Sequence, residues 1–370
     1  MHIGVPKEIK IEEYRVGLTP QSVSALIARG NSVTVETGAG LGIGADDNSY
    51  RATGAKIAPS AGDIFGTADM IVKVKEPQPV ECKMLREGQV LFTYLHLAAD
   101  RDQAQYLLAS GATCLAYETV TNDAGRLPLL APMSQVAGRL SVQAGAKALE
   151  ISGGGRGVLL GGVPGTAPAK VTVLGGGVAG KNAIQIALGM GADVTVLDTN
   201  VATLEALSER FGPKLKTMYS APDTVFSVAR EADLIIGAVL IPGARAPCLI
   251  SADMIKKFHA GSVLVDIAID QGGCFETSVA TTHSEPTYVV DEVVHYCVAN
   301  MPGAVPRTST YALNNVTLPW IIRLCDNGVA SVVQHDAHFR NGLNVYNGQL
   351  TNKAVSEDLG LAFVDPASCF

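Results

Sequence analysis

The chain has 370 residues, 47% of them hydrophobic, and carries 28 Lys and Arg against 35 Asp and Glu, a formal net charge of −7. That length suits two ordinary domains with separate cores, and an acidic chain without a basic block argues against nucleic acid and anionic membrane surfaces as partners. No apolar run approaches the ~18 residues of a membrane span, the charged start through Lys7, Glu8, Lys10, Glu12 and Glu13 lacks a signal peptide's apolar core, and a cytoplasmic protein is expected.

Residues 2–5 read as a short strand, followed by a loop through Arg15. Thr19 and Pro20 then open a helix, Thr19 as N-cap and Pro20 at the first helical position, and Gly30 closes it. A second strand is expected at 33–35, a short helix at 46–54, a third strand at 70–74 and a fourth at 90–94, ending in Leu95 and His96. The rhythm repeats through 114–117, so the first part of the chain predicts a doubly wound parallel sheet. Residues 132–151 carry the longest helical pattern and lead into a glycine-dense loop, 153–165, taken as a spacer. Apolar runs at 234–239, 262–267 and 289–290 resemble strands buried on both faces. After Pro306 a further helix is expected to reach Cys325, with Pro319 as a kink or break. The tail from Gly328 shows no sheet-like rhythm and is assigned to the first domain. The expected fold class is α/β, two doubly wound parallel-sheet (Rossmann-like) domains separated by a cleft. Residues 1–130 plus 307–370 form a discontinuous substrate domain, and 131–306 form an inserted nucleotide domain.

The most informative stretch is 170–181, Lys-Val-Thr-Val-Leu-Gly-Gly-Gly-Val-Ala-Gly-Lys, followed by the strand 194–198 that ends in Asp198. Gly175, Gly177 and Gly180 fall on a G-x-G-x-x-G spacing where a buried strand turns into a helix through Val178 and Ala179. Gly175 permits the tight turn, Gly177 lets the backbone approach a pyrophosphate, and Gly180 lets helix and strand pack closely. The helix N-terminus then faces the phosphates. Asp198 is suited to both ribose hydroxyls. Its charge would repel a 2′-phosphate, and Thr199 and Asn200 supply no arginine, which argues for NAD over NADP.

Ligands of open parallel sheets sit beyond the carboxyl ends of the strands. Lys75 and His96 stand at two such ends, and Arg15 follows the first strand. Arginine can hold a carboxylate by two hydrogen bonds, lysine can polarise a carbonyl or imine, and histidine can exchange a proton near neutral pH. The alternatives are a solvated arginine, an ordinary strand-end lysine and a satisfied structural histidine. Asp270 and the loop 299–303 stand at the nucleotide domain's carboxyl edge, where they could face a nicotinamide, whereas Asp266 reads as a turn or packing residue. The seven cysteines are odd in number and include no C-x-x-C pair, which argues against structural zinc and a disulfide framework, and most are expected to be buried. His283, His295, His335 and His338 lack a matching carboxylate or cysteine cluster, and no metal is expected. Neither a G-x-S-x-G elbow nor a Walker loop is present.

These blocks together resemble the bacterial alanine dehydrogenases over essentially the whole chain. The matching stretches are Gly-Val-Pro-Lys-Glu at 4–8, Arg-Val-Gly-Leu-Thr-Pro at 15–20, Val-Lys-Glu-Pro at 74–77, 91–98, Pro-Met-Ser at 132–134, the glycine clamp, 265–273 and Asn-Met-Pro-Gly-Ala-Val-Pro at 300–306. The resemblance implies NAD-dependent, reversible oxidative deamination of L-alanine to pyruvate and ammonium. It implies that Arg15 and Lys75 hold the substrate, and that His96 and Asp270 manage protons and water. Tyr94, Leu130, Met133 and Asn300 would line a pocket for a methyl group. Ser134, Asp198, Ser220, Val239, Leu240, Ile267 and Met301 would surround NAD, and a homohexamer is implied. Thr203 departs from the pattern, since many relatives carry Lys or Arg there beside the adenosine ribose, which puts the adenosine contacts in question. The alternatives are the soluble nucleotide-binding portion of a transhydrogenase, a saccharopine-type lysine-forming dehydrogenase and a non-catalytic NAD sensor.

Overall fold

The structure, a computed structural model, describes residues 1–239 and 246–369, so Leu240 lies outside the described residues. Contacts divide the chain into two compact units, Met1–Met133 with Val305–Phe370, and Ser134–Ala304.

The first unit begins with strands β1 (His2–Val5), β2 (Ser32–Glu36), β3 (Lys56–Ala58), β4 (Met70–Val72), β5 (Val90–Thr93) and β6 (Thr113–Ala116). β1 pairs in parallel with β2 on one side and β4 on the other, so the order reverses at β1. A reversal of this kind opens a crevice beyond the carboxyl ends. β4, β5 and β6 are buried at every residue, as strands covered on both faces must be. Ile71, Leu91 and Cys114 pack into a core with Ile64, Phe65 and Leu107. Thr19 caps helix Pro20–Ile27 through the N–H of Ser22, as its sequence predicts.

In the second unit, β7 (Lys170–Leu174), β8 (Asp193–Asp198), β9 (Leu215–Tyr219), β10 (Leu234–Gly237), β11 (Val263–Asp266), β12 (Thr287–Val290) and β13 (Val293–Tyr296) form a seven-stranded sheet in the order β12-β13-β11-β10-β7-β8-β9. All pairs are parallel except β12 with β13, a hairpin closed by Asp291 and Glu292 with φ of 47° and 63°. Two positive φ values at a two-residue connection match the right-handed twist of the strands.

Several sequence expectations need correction. Residues 289–290 belong to an antiparallel edge strand with Val289 60% exposed, and the strand buried throughout is β13. The apolar pair alone carried no information about the second face. The tail does form strands: β14 (Leu343–Tyr346) pairs antiparallel with β6, and β15 (Gln349–Leu350) with β14, completing an eight-stranded sheet. The longest described helix is Pro306–Asn327, not Ala131–Ala148, and it continues through Pro319 without a break. β3 and helix Ala61–Thr67 precede the strand at 70, which is therefore the fourth. No single described helix is long and apolar enough to span a membrane; Pro306–Asn327 and Val329–His335 pass that test only as a pair bent by 112°.

Candidate active site

Four strand ends of the first unit deliver polar groups to one edge. Arg15 is buried, with its Nε and one Nη donating to the two carboxylate oxygens of Glu13 at 2.7 and 2.5 Å. This fork fixes the plane of the guanidinium. Burial alone would lower the Arg15 pKa, but Glu13 outweighs it and raises it. The other Nη lies 3.1 Å from the Met133 sulfur, which brings the predicted pocket residue Met133 to Arg15. Tyr94, also buried, donates its hydroxyl to the Leu129 carbonyl at 2.7 Å and so ties down the turn that carries Leu130.

Lys75 follows β4 and is set by a buried ion triad that sequence reasoning missed. The Lys73 ammonium donates to Glu8 at 2.9 Å and Glu81 at 2.7 Å, and the other Glu8 oxygen accepts the Val74 N–H at 2.7 Å. Burial alone would lower Lys73, but the two carboxylates raise it, so it remains an ammonium. The Lys75 ammonium pairs with Glu76 at 3.9 Å, beyond hydrogen-bond reach. Burial would raise the Glu76 carboxyl, but Lys75, Lys10 and His96 together hold it below the usual range. Lys75 and His96 follow the neighbouring parallel strands β4 and β5 at the same edge.

His96 follows β5 with φ of 50° and ψ of 38°. A left-handed conformation costs a non-glycine residue roughly 1 kcal/mol or more, and persists where surrounding structure imposes it. Glu118, two residues past β6, accepts the His96 N–H at 2.6 Å and the Leu95 N–H at 3.1 Å. The imidazole stacks on Tyr94 with centroids 5.8 Å apart and is 44% exposed, so water reaches it.

In the second unit the clamp glycines differ in what a side chain would meet. Gly175 has φ of 96°, and a Cβ there would lie 2.9 Å from the Ala238 carbonyl. A Cβ at Gly180 would lie 1.8 Å from the Gly175 oxygen. A Cβ at Gly177 would meet nothing within 4 Å, so the backbone at the start of helix Val178–Gly189 faces open space. That is the approach a pyrophosphate needs, with N–H groups of Val178 and Ala179 in the first helical turn. Asp198 holds the turn from β8, accepting from Gly176 at 2.7 Å and Asn200 at 2.8 Å. These features fit a dinucleotide.

Ser220, Val239 and Ile267 follow β9, β10 and β11 at the same carboxyl edge. The Ser220 N–H donates to the Asp198 carbonyl, and the Val239 side chain borders Gly175. Ser134 stands in helix Ala131–Ala148, where a Cβ on Gly138 would lie 2.1 Å from the Ala179 carbonyl, so this helix packs against the clamp. Thr203 donates its N–H to the Asn200 side chain in the next helix's first turn. Asp266 is buried and accepts from Ala268, Cys274 and Ser278, which makes it the organiser of the turn that exposes Asp270. Asn300 has φ of 61°, and its carbonyl accepts from His283 at 3.2 Å. Met301 is buried. No group of described residues has the arrangement of a metal site.

Besides Lys73, Glu8 and Glu81, sequence reasoning missed Glu13 and Glu118. Only Glu118 carried a signal, as an acid just past a strand end on the same edge as His96.

Models of the "Alanine dehydrogenase/PNT" family match this chain, the N-terminal domain over residues 4–137 and the C-terminal domain over 141–353. An alanine dehydrogenase of Halomonas elongata is 57% identical over 368 residues, 100% of this chain and 99% of that protein. One of Bacillus subtilis is 52% identical over 98% of this chain and 96% of its own length. Among solved structures, an L-alanine dehydrogenase matches with a TM-score of 0.94 at 50% identity, covering 97% of this chain and 99% of its own. A transhydrogenase from Sinorhizobium meliloti matches with a TM-score of 0.81 at 26% identity, covering 96% of this chain and 100% of its own. Both halves of one family are thus matched in order, with relatives more than half identical over nearly their whole length, and the chain belongs to the alanine dehydrogenase/PNT family.

Proposed function

We propose that the chain is an NAD-dependent L-alanine dehydrogenase that converts L-alanine, NAD and water reversibly to pyruvate, ammonium, NADH and a proton. The observation that carries this reading is the gathering of Arg15, Lys75 and His96 at one sheet edge, in a chain whose other unit bears a complete glycine clamp. Bound at Gly175, Gly177, Val178, Ala179, Gly180 and Asp198, with Ser134, Ser220, Val239, Ile267 and Met301 around it, NAD supplies the acceptor for the hydride that leaves the alanine α-carbon. Leu240, expected among these residues, lies outside the described residues. Asp198 favours NAD because a 2′-phosphate beside its carboxylate would be repelled.

Arg15, oriented by Glu13, pairs with the substrate carboxylate, and Lys75 stabilises the carbonyl oxygen as it forms. The imine left on the substrate is attacked by water. His96 accepts a proton from that water and returns one to the departing nitrogen, and its exposure allows exchange with solvent. Asp270 assists in ordering the water. Tyr94, Leu130, Met133 and Asn300 shape a pocket suited to the methyl group. The same reading carries a homohexamer and a cytoplasmic location, the former open to light scattering.

The test is absorbance of NADH with purified protein, NAD and a panel of L-amino acids, with D-alanine as control. Reduction with L-alanine is expected. Tight NAD binding without reduction by any amino acid would overturn the assignment in favour of a transhydrogenase-like or sensor role.

A further inference from the structure

We propose that Glu118 is a positioning residue for His96, holding the left-handed turn that presents the imidazole by accepting the backbone N–H groups of Leu95 and His96. The inference rests on the reading of His96 as the proton-handling group. Glu118 lies in the 3₁₀ turn Tyr117–Thr119, which directly follows β6, the neighbour of β5. One carboxylate oxygen accepts from both Leu95 (3.1 Å) and His96 (2.6 Å), and the second oxygen lies 3.3 Å from the Leu95 nitrogen. The Glu118 side chain is only 13% exposed, and the Leu95 N–H that it accepts is part-buried.

The same carboxylate is 3.9 Å from Nδ1 of His96, too far for a hydrogen bond to the ring. Its hold is therefore on the backbone. The rest of the turn is completed by Gln103, whose side-chain amide donates to the Leu95 carbonyl at 3.0 Å, and by the Ala99 N–H on the His96 carbonyl. No other acceptor takes the Leu95 or His96 N–H among the described residues. Without Glu118 the part-buried Leu95 N–H would lose its acceptor, and His96 would lose the contact that imposes its conformation.

Glu118→Gln keeps one acceptor oxygen where the present one takes both N–H groups, whereas Glu118→Ala removes it. In the NADH assay with L-alanine, Glu118→Ala is expected to lower kcat about 100-fold while KM for L-alanine and the NADH Kd stay within about threefold. Glu118→Gln should restore kcat to within about tenfold of the unmodified chain. A second readout needs no activity: the ¹³Cα resonance of His96 in histidine-labelled protein, assigned by its loss in His96→Gln. It should carry the left-handed signature in the unmodified chain and in Glu118→Gln, and lose it in Glu118→Ala. Unchanged kcat in Glu118→Ala, an unchanged His96 resonance there, or a Gln variant as slow as Ala would each overturn the proposal. If Glu118→Ala does not fold, Glu118→Gln decides by itself, since loss of its left-handed signal or of turnover overturns the claim. A wild-type chain that forms no NADH from L-alanine would fail the parent reading, and the resonance comparison would still judge the role of Glu118.

Discussion

Two glycines three residues apart in the clamp should respond oppositely to the same added methyl group. At Gly180 a Cβ would lie 1.8 Å from the Gly175 oxygen and 3.3 Å from a Val173 methyl, so the helix must retreat by about 1.6 Å to reach ordinary contact. The obstacle is backbone and cannot rotate away, which puts Gly180→Ala at the upper end of overpacking costs, about 3 kcal/mol. At Gly177 a Cβ meets nothing within 4 Å and φ is −64°, so Gly177→Ala should cost no more than about 1 kcal/mol as a cap change. The methyl group there would stand where the pyrophosphate approaches, and NADH Kd should rise at least about tenfold, ~1.4 kcal/mol. Urea denaturation followed by circular dichroism reads the first effect, and fluorescence titration with NADH reads the second. A Gly180→Ala chain as stable as the unmodified one, or a Gly177→Ala chain with unchanged NADH affinity, would refute the reasoning.

His96→Ala should slow turnover by about 100-fold or more while leaving NADH affinity nearly intact; steady-state rates at unchanged Kd check this, and undiminished turnover would reject the acid–base role. Asp198→Gly should weaken NAD binding, because it removes both the carboxylate proposed to hold the ribose and the acceptor that fixes the Gly176 N–H; an unaltered NAD dissociation constant would count against it. Asp336 accepts N–H groups of His338 and Phe339 and pairs with Arg323. Burial alone would raise its carboxyl, but those partners hold it below its ordinary value of 3.8. A depressed folded-state pKa means stability that is present above the ordinary value and lost as pH falls through the folded one. Asp336→Ala should therefore cost about 1 kcal/mol at pH 7, and the gap between variant and parent denaturation midpoints should narrow on acidification; a gap that widens would contradict the assignment.

The clamp was legible because every constraint on it is local. A buried run, glycines at fixed spacing, a helix and an acid after the next strand are all set within one stretch of chain. β14 was hidden because its partner β6 lies far off in sequence, β15 is only two residues paired to β14, and the two carry Asn344, Tyr346 and Gln349 among their few residues. β3, three residues starting with an exposed Lys56, is too short to show an apolar rhythm. Among the candidate site residues, Lys75 and His96 stand just past strand ends and Arg15 in the loop after β1, as the sequence placed them. Glu13, Glu8 and Glu118 were not legible, because an acid in a loop looks like a solvated charge until folding brings a guanidinium, a lysine or two N–H groups to it.

The antiparallel pairing of β6 with β14 also sets an order of assembly. β6 is buried at every residue and has its place between β5 and β14, so its outer edge lacks a partner until Leu343–Tyr346 has emerged from the ribosome. At roughly 10 residues per second that delay is on the order of 20 s. The second unit, continuous from Ser134 to Ala304, can fold entirely within that interval. The nascent chain therefore carries an apolar strand edge through most of its synthesis, the kind of surface on which newly made chains pair wrongly and chaperones act.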